Sequence, residues 1–222
     1  MAQQEDAACR EGLRFFGILS ASISHEIKNA LAVISESAGL MDDLLVASDR
    51  GIPVDETRLK KSADRIRSQV ERSDAIVKNM NALAHSTDKT FVQTDVGQVI
   101  TLTAALVRRM LDMRGVTVKV EMPTETLSLK TAPFYLKNLT WLFLDSAAEC
   151  VEKSRVLCIS IKKSETGAEI RISGLKGLDG DHVGHLPTAK MKVLLELLQS
   201  EVEIDAYVGR FALKLRDLSG AG

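Results

Sequence analysis

With 222 residues, 45% hydrophobic and 27% charged, the chain is long enough for one large or two small domains with real cores. A net charge of −1 supplies no global basic field, so neither nucleic acid nor an acidic membrane surface is an expected partner. Three cysteines without metal-type spacing (Cys9, Cys150, Cys158), no run of about 18 apolar residues and no basic start before an apolar segment read as a cytoplasmic chain with free thiols, no membrane span and no signal peptide.

The segment before Leu13 is polar and reads as a frayed lead-in. From Phe16 an apolar series runs through Ile23, Ile27, Ala30, Ile34, Ala38, Met41 and Leu45, in steps of three, four or seven that lay one stripe along a helix ending near Ala47. Gly51 and Pro53 punctuate its end. His25 stands two positions past Ile23, about 200° around the wheel, so it faces away from the buried stripe. Glu26 follows it and Asn29 lies four residues on, a carboxylate and an amide to either side of one imidazole.

A second helix starts near Asp55, with the stripe Leu59, Ala63, Ile66, Val70, Val77, Met80 and Ala84 and with Lys60, Lys61, Arg65, Arg67 and Arg72 on its other sides. Two long helices joined by a short turn make an antiparallel hairpin. One hairpin leaves each stripe half covered, so a second copy of the chain is expected to complete a four-helix bundle as a homodimer.

Beyond Ser86 the pattern changes. A short strand at 91–96 leads into a helix over about 96–113, a half-buried strand at 116–122 and a weaker one at 126–130. A helix from Pro133 to about Glu152 precedes strands at 156–163 and 168–173, a helix at 188–200, and a closing hairpin of 202–207 and 211–215 about Val208-Gly209-Arg210. Segregated helices and a mixed or antiparallel sheet make an α+β sandwich. The expected domains are 1–88, the helical hairpin, and 89–222, the sandwich.

Ser24-His25-Glu26-Ile27-Lys28-Asn29, followed by Ala30-Leu31-Ala32-Val33-Ile34, resembles the H-box of two-component sensor histidine kinases. The resemblance implies that His25 takes a phosphoryl group on Nε2, that Glu26 assists proton removal, and that Asn29 positions water for dephosphorylation. The family usually has proline where Ala30 stands, and Ala30 favours a helix without that kink.

The order of elements over 91–216 resembles the ATP-binding domain of the same kinases, the GHKL fold shared with gyrase. Asp145 stands where that family's Mg²⁺-holding Asn belongs, and Trp141 one turn earlier replaces another polar position. The Asp-x-Gly-x-Gly box that reads adenine has no counterpart in register within 173–181, where Leu178-Asp179-Gly180 reads as a turn. The stretch Leu186-Pro187-Thr188-Ala189-Lys190-Met191 holds no glycine where a phosphate cradle should lie. These departures imply that the nucleotide site near Asp145 is degenerate, that ATP binding is lost, and that the chain holds no cofactor of its own.

An acceptor helix joined to a damaged donor domain is similar to the dimeric histidine phosphotransferases, which relay phosphoryl groups between response-regulator receiver domains. By that resemblance His25 is the relay, a partner receiver brings Mg²⁺, and Asn29 adds a receiver-phosphatase activity. The alternatives are a divergent ATP-dependent histidine kinase and a non-enzymatic dimeric scaffold that binds response regulators. His85, at the end of the second helix, reads as a dipole cap. His182 and His185, near Asp179 and Asp181, lack a second pair of metal ligands. Trp141, Phe143 and Leu144 read as core.

Overall fold

Helix α1 (Ala2–Asp49) runs without interruption past Ala30, where no proline interferes. It stops where Gly51, at φ +82, lets the chain turn back: Ile52 N–H donates to Ala47 O at 3.2 Å and Gly51 N–H to Ser48 O at 2.9 Å, the two bonds of a Schellman end. Helix α2 (Glu56–His85) begins behind Asp55, whose Oδ1 accepts from Arg58 N–H at 3.1 Å. In this computed structural model the described residues are 2–176 and 185–220. The chain divides into two compact units, Ser20–Ala82 and Met1–Leu19 with Leu83–Gly222.

The first unit is the antiparallel hairpin. Ile23, Ala30 and Ser37 of α1 and Ser62 of α2 are buried, and Ile27, Ile34, Met41, Ile66 and Met80 are half-buried. Its packed face thus follows the expected stripes at Ile23, Ile27, Ala30, Ile34, Met41, Ile66 and Met80 and departs from them at other positions. Leu45 is 51% exposed and Val70 53%, and Ala38, Val77 and Ala84 are also exposed. What remains outside is a second apolar stripe, spaced by sevens: Leu31, Ala38 and Leu45 on α1, Val70 and Val77 on α2.

In the second unit the segment before Leu13 is not a frayed lead-in. It is the start of α1, with Ala8 fully buried, and Phe15 packs its ring 5.9 Å from that of Phe134. Gly12 lies so near that a Cβ there would meet the Phe134 ring at 2.8 Å. Burying a phenylalanine stabilises by about 1.5–3 kcal/mol, which outweighs the poor stripe that the sequence shows there.

Strand β1 (Val92–Asp95) ends in Asp95, whose carboxylate accepts from Gly97 and Gln98 N–H and caps α3 (Val96–Asp112). Then come β2 (Thr117–Glu121), β3 (Ser128–Thr131), α4 (Pro133–Glu149), β4 (Val156–Lys163), β5 (Gly167–Ser173), α5 (Ala189–Leu197), β6 (Glu201–Asp205) and β7 (Arg210–Arg216). Five strands form one mixed sheet in the order β2-β4-β5-β7-β6, in which β2 and β4 are parallel and the other neighbours antiparallel. The first and third strands pair separately, Val92 opposite Thr131, a two-stranded sheet that the sequence does not signal. Alternation places Ile159, Ile170, Ile172, Phe211 and Leu213 on one buried face. Phe143 of α4 meets Phe211 there at 5.8 Å, which locks the helix layer to the sheet. Gly209, at φ +67, turns β6 into β7, and a Cβ there would stand 2.1 Å from Leu175 O.

The fold is thus an N-terminal helical hairpin followed by an α/β sandwich. Among the described residues no helix is long and apolar enough to cross a membrane.

Candidate functional site

On α1 the exposed face carries His25 and Asn29, both open to solvent. Among the described residues no hydrogen bond or ion pair engages either side chain, so the imidazole is held only by its helix. Glu26 behaves differently. One residue further around the helix, its side chain is 14% exposed and turns toward α2, where Arg72 Nη2 lies 3.3 Å from its Oε2. The expected trio thus divides: the structure gives the carboxylate a cation from the other helix and leaves the imidazole and the amide free.

Arg72 is the residue that sequence reasoning missed, because basic positions on α2 read collectively as a solvated face. Counting from the turn does not pair them either, because Glu26 lies 23 residues before the last residue of α1 and Arg72 lies 16 residues after the first of α2.

In the sandwich the positions at which the sequence reading expects a degenerate nucleotide site meet groups of the chain itself. Asp145 is half-buried and its Oδ1 lies 2.8 Å from Arg114 Nη2, while Arg114 Nη1 donates to Asp145 O at 3.2 Å. Trp141 is buried, as are Phe143 and Leu144, all three in the core as expected. At the start of α5 the Thr188 hydroxyl accepts from Met191 N–H at 3.4 Å, so one donor that a phosphate would seek is already capped. The stretch 177–184, with the turn at Leu178-Asp179-Gly180, Asp181 and His182, lies outside the described residues. His185 is exposed, and among the described residues no three His, Cys, Asp or Glu side chains gather as a metal site. His85 is the last residue of α2, and its Nδ1 lies 3.2 Å from Asp88 Oδ2.

Other titratable groups are shifted by burial. Lys137 on α4 is 2% exposed and desolvation pushes it down from 10.5 to about 8; its Nζ donates to Pro133 O at 3.3 Å. Burial, and then the charge of Glu149, raise the Cys150 thiol; burial, and then Cys9, raise the Tyr135 phenol. Cys9, Cys150 and Cys158 are all free thiols.

Residues 17–88 match the model of the His Kinase A (phospho-acceptor) domain. No curated protein matches the chain. Among solved structures, the chain is similar to the Acinetobacter baumannii histidine kinase AdeS at 15% identity and a TM-score of 0.49, over 87% of this chain and 98% of that one. The ATP binding domain of PrrB from Mycobacterium tuberculosis aligns at 17% identity and a TM-score of 0.45, over 58% of this chain and 98% of its own. The cytoplasmic segment of histidine kinase QseC aligns at 9% identity and a TM-score of 0.42, over 67% and 95%. The similarity to a histidine kinase phosphoacceptor domain is thus carried by residues 17–88, which include the hairpin.

Proposed function

We propose that the chain is a histidine phosphotransferase of a two-component phosphorelay, in which His25 carries phosphoryl groups between the aspartates of response-regulator receiver domains. The observation that carries this reading is the pairing of an exposed, unengaged His25 in a phosphoacceptor segment with a sandwich whose Asp145 is held by Arg114. The first feature supports accepting a phosphoryl group, and the second weighs against taking it from ATP.

An imidazole is a nucleophile only in its neutral form. Neutral His25 Nε2 attacks the phosphorus of a receiver phosphoaspartate; the N–P bond forms, the acyl P–O bond breaks, and the aspartate leaves as its carboxylate. Transfer to the next receiver reverses these steps. Such transfer depends on positioning and charge more than on covalent help, and any Mg²⁺ belongs to the receiver's side of the reaction. Glu26, held by Arg72, stands beside the acceptor as a proton acceptor for the imidazole, and Asn29 is placed to orient a water when the reaction runs as receiver dephosphorylation. The stripe of Leu31, Leu45, Val70 and Val77 supports a homodimer, since a second hairpin would cover it.

The ATP-dependent kinase reading keeps one specific observation, the oxygen of Asp145 as a metal ligand. The test separates the readings. Incubation with a phosphorylated receiver should place acid-labile phosphate on His25, and incubation with γ-labelled ATP and Mg²⁺ should not. Label from ATP alone would establish the kinase. No label from either, in folded dimer that binds receivers, would leave a scaffold.

A further inference from the structure

A cavity of about 430 Å³ opens within the sandwich unit between the first turns of α1, the end of α3 and one face of α4, a size that suits a small molecule. Its apolar lining comes from Phe15 and Ile18 of α1, Met110 of α3, and Trp141 and Leu142 of α4. Its charged lining comprises Glu11, Arg14, Arg114, Asp145 and Lys190. Arg114 and Asp145 form an ion pair at 2.8 Å. Arg14, Lys190 and Glu11 have no ion-pair partner among the described residues, so three cations face two anions and the cavity carries one positive charge in excess.

A second observation is independent of that balance. Asn138 lines the same cavity, is 1% exposed, and its Nδ2 has no hydrogen-bond partner among the described residues. A buried donor left unmet costs about 1–3 kcal/mol, so it is ordinarily matched by a bound group. A ligand that offers one acceptor to Asn138, one negative charge to Arg14 and Lys190, and an apolar body to Phe15 and Trp141 answers the unmet donor and the excess positive charge of the site. A polyphosphate does not, because the lining holds no glycine cradle and its carboxylate at 145 is already neutralised.

We infer that the sandwich unit binds a small organic monoanion with an apolar, preferably aromatic, body between Asn138, Trp141, Arg14 and Lys190. The site uses nothing on the hairpin and stands or falls apart from the role of His25.

Trp141 is the sole tryptophan, so its indole N–H gives one NMR resonance that reports this cavity alone. The test titrates the full chain with 4-phenylbutyrate, its neutral amide, AMP, and ATP with Mg²⁺, and follows that resonance. The inference expects a saturable shift with 4-phenylbutyrate and at least about tenfold weaker binding of the amide. It also expects about three- to tenfold losses in Arg14→Gln and Lys190→Gln, which sit at the rim and leave the core intact. Asn138→Asp, close in shape but without the donor, should lose binding while far-UV circular dichroism stays unchanged. No saturable shift at about 10 mM, a concentration that already allows for weak binding, would overturn the inference. So would equal affinity for acid and amide, or tighter binding of ATP. AMP binding as tightly as 4-phenylbutyrate would overturn the preference for one negative charge.

Discussion

The two units handle their polar groups in opposite ways. On the hairpin, His25 and Asn29 face outward without partners and an apolar stripe lies uncovered, so its chemistry and its packing both await another molecule. In the sandwich, Asp145 is held by Arg114, Thr188 caps its own helix, and Trp141 fills the helix face. A group that meets its partner inside the chain has lost its freedom to meet one outside. The hairpin leaves His25 and Asn29 open, whereas Asp145 and Thr188 of the sandwich meet partners within the chain.

The largest way to break this comparison is His25→Ala. It should reduce phosphoryl transfer from a phosphorylated receiver by at least about a thousandfold, since no other nucleophile replaces the imidazole. Thermal unfolding should stay within about 0.5 kcal/mol because the side chain is exposed. Transfer that survives would move the chemistry away from the hairpin. Next in size is the stripe. Val70→Asp with Leu45→Asp should raise the dimer dissociation constant by at least about a hundredfold in sedimentation equilibrium, because two carboxylates per chain would have to be buried unpaired. An unchanged dimer would assign the stripe to something other than self-association.

The elements themselves were legible because their periods are distinct. The strand at 156–163 and its partner at 167–173 alternate cleanly, and the helix end at Gly51 follows from one residue type. Three features were not legible, for physical reasons. Ala8 and Gly12 look unpatterned because small residues that admit an aromatic ring carry no hydrophobic signal of their own. Ser37 and Ser62 are buried in the hairpin, and a serine carries no apolar signal that would announce it. The β1–β3 pairing joins residues across a helix and a strand, a distance at which local pattern says nothing. At the candidate site, the placement of His25 and Asn29 on an open face could be read from spacing, but the Arg72 partner of Glu26 required the register of two helices.

The sandwich has its own unsatisfied charge, and it sharpens the comparison through stability. Lys137 is buried, and among the described residues no carboxylate pairs with it. Below pH 8 it is charged in both folded and unfolded chains, so the folded state bears the full cost of burial. Between about 8 and 10.5 the folded protein has released a proton that the unfolded chain still holds, so stability rises with pH, by up to about 3 kcal/mol for that shift. Lys137→Met should therefore be more stable than the parent at pH 7 by about 2–3 kcal/mol, and the difference should vanish by about pH 10. Cys150 and Tyr135, whose ionisation burial opposes, pull stability down at high pH in both proteins, so the difference between two urea-denaturation series isolates the lysine. A difference that does not change with pH would mean that the ammonium is solvated.

The smallest expected effect bears most closely on how the hairpin works. Arg72 is 55% exposed, so its ion pair with Glu26 contributes only about 0–1 kcal/mol to folding. Its value lies in fixing which way the carboxylate beside His25 points. Arg72→Gln should leave unfolding nearly unchanged and slow transfer through His25 by about three- to tenfold, a barrier change near 1 kcal/mol. Arg72→Lys keeps the charge and should restore much of the rate. Rescue by Lys, which restores a cation but not the shape of the guanidinium, separates positioning of the carboxylate from mere packing. A Gln variant with the parental rate would mean that Glu26 needs no hand from α2, and that the open face of α1 is sufficient in itself.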